Sequence, residues 1–110
     1  MFFLTRWKIE GLIRRMMAVD RSEGLGYLMR LSSLSAQISR YGVAAIPVLL
    51  RAADKHEDEY DYSHGRLAGT IAAICKMNPR GKELLNTTLE KGCSENVASV
   101  IKTAMRELEE

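Results

Sequence analysis

The sequence predicts an all-α fold of six or seven short helices in antiparallel pairs, and two observations carry that prediction. Apolar residues recur at three- and four-residue spacing along nearly the whole chain, and no stretch alternates apolar and polar residues as a half-buried strand would. A single apolar template is also used twice, with the same two-helix layout each time. At 110 residues and 46% hydrophobic, the chain is one domain with enough apolar side chains for one core.

From Phe3 to Met17, the residues Ile9, Leu12, Ile13, Met16 and Met17 fall on one helical stripe, with Lys8, Glu10, Arg14 and Arg15 between them. Asp20 and Glu23 have the D-x-x-E spacing of a capping box, so a second helix is expected to start there with Leu25, Leu28, Met29 and Leu31 on its apolar face. Ser32 and Ser33 suggest a break before a short helix over 34–41. Gly42 ends that helix, because glycine tolerates the left-handed backbone of a helix stop. The next helix spans 43–53 with Pro47 in its first turn, where a missing N–H leaves no hydrogen bond unmade, and it buries Ile46, Leu49, Leu50 and Ala53. The run DKHEDEYDYS over 54–63 has no apolar face and reads as a solvated loop, with Ser63 capping the helix after it. The fourth stripe is Leu67, Thr70, Ile71, Ile74 and Cys75, padded by small residues that let a neighbour approach. Asn78-Pro79 opens a helix with Leu84, Leu85 and Leu89 that runs to Gly92. Ser94 starts the last helix, with Val97, Val100, Ile101, Ala104, Met105 and Leu108 inward. Its acidic end, Glu107, Glu109 and Glu110, opposes the helix dipole.

The repeat lies in two stripes. Ile46, Leu49, Leu50 and Ala53 return as Gly81, Leu84, Leu85 and Thr88, and Leu67, Thr70, Ile71 and Ile74 return as Val97, Val100, Ile101 and Ala104. The spacing between stripes differs only by the acidic insertion. Residues 21–41 read as a shorter copy, with Leu28 and Met29 in the places of Leu49 and Leu50. The stretch Tyr41-Gly42-Val43-Ala44-Ala45-Ile46-Pro47-Val48-Leu49-Leu50 resembles the junction of a HEAT repeat, where one helix ends and a proline-bearing helix begins. Over roughly residues 21–108 the chain is thus similar to the HEAT and armadillo class of α-solenoids. The resemblance implies a capping helix over 1–20, a degenerate repeat over 21–42, a repeat with an acidic loop over 43–78 and a further repeat over 79–110. It also implies a non-enzymatic module that presents a surface to another macromolecule in protein–protein interaction or assembly.

Charge adds a second axis. The net charge of +2 is a cancellation: residues 1–42 hold seven basic and three acidic side chains (net +4), 43–64 hold two and five (net −3), and 65–110 hold seven and six (net +1). The acidic loop with its two tyrosines, Glu57, Asp58, Glu59, Tyr60, Asp61 and Tyr62, is the expected partner-binding segment, since tyrosine joins apolar area to a polar tip. The alternative is a basic surface of Arg14, Arg15, Arg21, Arg30 and Arg40 for nucleic-acid phosphates. A further variant is an immunity or antitoxin-like protein whose acidic loop blocks a basic partner. Phe2, Phe3 and Trp7 are expected to cover the exposed end of the stack or to form a homodimer contact.

The chemistry-bearing residues form no catalytic set. Asp54, His56, Asp61 and His64 with their neighbours supply metal donors, but the spacing matches neither an EF-hand nor H-E-x-x-H, so a hydrated loop and no metal or cofactor is expected. Cys75 and Cys93 spell neither a redox nor a zinc motif, and parallel second helices would hold them at opposite ends, so no disulfide between them is expected. The apolar start is cut short by Arg6, Lys8 and Glu10, and nothing else is long enough to span a membrane; a cytoplasmic location is the corresponding expectation.

Overall fold

The computed structural model describes residues 2–20, 22, 24–56 and 62–109; the side chains of Phe2, Phe3 and Tyr62 lie outside that description. It is all-helical, with no strand among the described residues. The six α-helices among the described residues, in chain order, are α1 (Phe2–Met17), α2 (Leu25–Ser39), α3 (Ala45–Lys55), α4 (Tyr62–Met77), α5 (Arg80–Lys91) and α6 (Glu95–Glu109), with a 3-10 turn Gly42–Ala44 leading into α3. No described helix is long and apolar enough to cross a membrane.

The caps explain several boundaries. Gly42 has φ +67°, the left-handed backbone expected of a helix stop. The Arg80 N–H donates to Asn78 Oδ1 (3.1 Å), and the Val97 N–H donates to Ser94 Oγ (3.2 Å), so both side chains satisfy amides that have no intrahelical acceptor. The Ser94 hydroxyl donates in turn to Asp54 Oδ1 at 2.7 Å, which ties the start of α6 to the end of α3.

The core is one cluster. Ile9, Ile13 and Met16 of α1, Ile46, Leu49 and Leu50 of α3, Leu67, Ile71 and Ile74 of α4, and Val100, Ile101 and Ala104 of α6 are all buried, as the stripes predict. Chain neighbours pack as α1 on α2 and α3 on α4, α5 lies against both α4 and α6, and α1 meets α3, α2 meets α4, α3 meets α6, and α4 meets α6 most extensively of all. Ala68 and Ala72 are among the small buried residues on α4 that allow its neighbours to come close. Tyr27 lies beside Arg66, and Ser35 beside Thr70, so α2 and α4 run in the same direction. The whole measures 39 × 33 × 26 Å with a radius of gyration of 13.1 Å, the size expected of a globule of this length.

Four sequence expectations about the helices fail, three of them at α2. Ser32 and Ser33 do not break the chain: α2 is continuous from Leu25 to Ser39. Serine costs a helix only about 0.5 kcal/mol, and burying Leu34 and Ile38 on one stripe outweighs that. The apolar face is also displaced. Leu25, Leu28 and Met29 are exposed, and the inward stripe is Tyr27, Leu31, Leu34 and Ile38, so Leu28 and Met29 do not take the places of Leu49 and Leu50. Finally, Asp20 does not cap α2. Its carboxylate accepts the Ser22 N–H at 3.0 Å, the bond that most holds its pKa below the ordinary carboxylate value, and the cap position falls to Gly24 at φ +66°. Ser63 likewise lies inside the first turn of α4 rather than ahead of it.

Candidate binding surfaces

Both flanks of α2 border open grooves, and their chemistry differs. On the α4 side, a groove of about 550 Å³ has a floor of small residues: Ser32, Ser35, Ala36 and Ser39 from α2 face Gly65, Gly69 and Ala73 from α4. Small side chains at these positions leave the two helices close together and the trough between them shallow. Met77 stands at one end of it, 81% exposed. At the other end of α2, Leu28 (59% exposed) continues the same helix face, flanked by Leu25 (83%) and Met29 (74%). Large apolar side chains that a fold leaves in water around one trough are a candidate contact surface.

Arg66 holds the floor in place. Its guanidinium donates to the carbonyls of Met16 (3.0 Å) and Met17 (3.1 Å), the last turn of α1, where a cation complements the helix dipole. The same guanidinium lies 5.5 Å from the centre of the Tyr27 ring. One side chain of α4 therefore fixes both α1 and α2. Beneath it Thr70, buried, donates to the Arg66 carbonyl (3.0 Å) and shares a 2.8 Å hydrogen bond with Ser35. Neither Arg66 nor Thr70 stands out in the sequence as a tie between helices. The only signal is a polar pair at helical spacing, Arg66 and Thr70, with Thr70 inside the otherwise apolar stripe.

On the α1 side, two grooves of about 620 Å³ and 280 Å³ share Arg15, Ala18 and Gln37 and form one furrow. Trp7, Lys8, Arg14 and Arg15 line it from α1, and Arg30, Ser33 and Gln37 from α2, with Tyr41 at the end near Trp7. No carboxylate lines either groove among the described residues. Lys8, Arg14 and Arg15 are exposed and make no ion pair with a described carboxylate; the Arg6–Glu10 pair at 3.0 Å lies elsewhere on α1. Of the five arginines expected to share a surface, Arg14, Arg15 and Arg30 come together here. Arg40 lines the groove on the opposite flank of α2, and Arg21 lies outside the described residues.

The other expected sites divide similarly. Glu57, Asp58, Glu59, Tyr60 and Asp61 lie outside the described residues, and Tyr62 is the first residue of α4. Trp7 is 64% exposed and does not cover the core as a lid, which corrects that expectation; the side chains of Phe2 and Phe3 are not described. No group of three metal-ligating side chains occurs among the described residues. His64 is buried against the Ala53 carbonyl, with its Nε2 at 3.2 Å, while His56 is held below the usual histidine range by burial first and the neighbouring Lys55 second. Cys75 is buried, and that burial raises its thiol pKa; Cys93 is exposed, and both are free. Comparison with protein-family models, curated proteins and solved structures finds no match to this chain.

Proposed function

We propose that this chain is a non-enzymatic helical module of HEAT-like build that binds an amphipathic helix of another protein along the α2/α4 groove. The observation that carries the reading is a trough of small residues edged by the exposed Met77, with exposed Leu28, flanked by Leu25 and Met29, continuing its α2 face beyond the other end. Helix-in-groove recognition needs those parts: apolar anchors, a floor low enough for a second backbone, and polar groups at the edges. Ser32 supplies a hydroxyl, and Arg40 supplies a cation near the Met77 end. The pairs α1/α2 and α3/α4, with α2, α4 and α6 side by side, support the HEAT-like part of the reading.

Selection of helical peptides from a displayed library on the native protein tests the proposal. Peptides with apolar residues at i, i+3, i+4 and i+7 are expected to be enriched, and their affinity is expected to fall at least tenfold for the double variant Leu28→Ser, Met29→Ser. Peptides that bind this variant and the native chain equally well would remove the groove from the function.

A further inference from the structure

We propose that the furrow between α1 and α2 is a binding site for single-stranded nucleic acid. This furrow lies on the opposite flank of α2 from the apolar groove, and its role does not rest on the protein-binding reading. It combines the two things such a ligand requires: cations for phosphates and an exposed aromatic face for a base. Lys8, Arg14 and Arg15 are exposed, unpaired with any described carboxylate and gathered on one side of α1, and Arg30 stands on the facing wall. Trp7 presents an exposed indole at the end where Tyr41 also lines the wall.

The shape selects among polyanions. From Trp7 to Ala18 the furrow runs along α1 for about 16 Å at the rise of an α-helix, the length of about four nucleotides, the lower end of known single-strand site sizes. It is the width of one gap between neighbouring helices, and an unpaired base is needed to offer a face to Trp7, so a single strand fits better than a duplex. An anionic lipid surface would favour a convex apolar face, whereas this one is concave with Ser33 and Gln37 in its wall. An acidic peptide would use the cations but has no need of the exposed indole. Gln37 and Ser33, already joined by a 3.3 Å hydrogen bond, also present polar groups of the kind that meet base edges.

Trp7 is the chain's single tryptophan, so fluorescence excited selectively in the indole reports on this site, without the four tyrosines. Titration with a twelve-residue oligothymidylate at low salt is expected to quench it, with an affinity that falls with salt at a logarithmic slope of about −2, the value for three phosphates on a single strand. With a labelled oligonucleotide read by anisotropy, Arg15→Glu and Lys8→Glu should each weaken binding at least tenfold, and Trp7→Ala at least fivefold. Met77→Ser, on the other flank of α2, should leave it unchanged. Because Lys8, Arg15 and Trp7 are exposed, circular dichroism should show all three variants folded. The proposal is overturned by absence of binding at 50 mM salt or by undiminished binding of both charge-reversal variants. Binding of poly-glutamate or phosphatidylserine vesicles as tight as that of the oligonucleotide would overturn it equally.

Discussion

A β-carbon on Gly81 would stand 2.7 Å from the Cys75 sulfur, 3.1 Å from Ile46 Cδ1 and 3.3 Å from the Cys75 α-carbon. The apolar template puts Gly81 where its first copy has Ile46, and the structure gives the reason: Cys75, with Ile46 itself, fills the space. Gly81→Ala gains less than about 1 kcal/mol of helix propensity, but one of its clashes is with backbone that cannot swing away. A net loss of about 1–2 kcal/mol is expected from the cost of overpacking, read as a lower urea midpoint. His56 gives a second expectation at this scale. Burial and Lys55 hold its folded pKa below the unfolded value near 6.5, so the unfolded state takes up the proton first. This group therefore leaves stability intact above about pH 6.5 and lowers it progressively as the pH falls towards the folded value. The urea midpoint should drop between pH 7.5 and 5.5, and His56→Gln should make that drop smaller. An equal drop in both proteins would show that His56 is not its source.

Among the elements, α2 separates what a stripe can and cannot tell. Two sets of apolar residues share it at helical spacing: Tyr27, Leu31, Leu34 and Ile38 face the core, and Leu25, Leu28 and Met29 face water. Periodicity predicts that a helix has an apolar side, but with two sides to choose from only the positions of α1 and α4 decide which is buried. Leu34→Ala is therefore expected to destabilise the fold by about 2–4 kcal/mol, as for other buried leucines. Met29→Gln should stay within about 0.5 kcal/mol, as for an exposed position. Comparable losses in the two variants, measured by chemical unfolding, would contradict this assignment of faces. The other helices pose no such choice. In α3, α4 and α6 a single apolar stripe is available, and the residues predicted for it are the ones the core contains.

At the scale of the whole molecule, the sequence by itself determined the all-helical class, most helix boundaries, the caps at Asn78 and Ser94, and the inward residues of α1, α3, α4 and α6. Each arises from interactions within a few residues of chain: an apolar period, a side chain bonding a nearby amide, a glycine or proline at a helix end. The candidate surfaces were legible only in fragments. Arg14, Arg15 and Arg30 were visible as charges, but which of the arginines share a face depends on how α1 lies along α2, and that placement unites these three and sends Arg40 to the other flank. Trp7 and Tyr41 are 34 positions apart and line one furrow for the same reason. Arg66 gained its role from the carbonyls of a helix some fifty residues earlier in the chain. Tertiary structure alone decided these features, because a surface is assembled from the sides that helices leave unburied. Those sides are set by packing between distant segments, which no local pattern encodes.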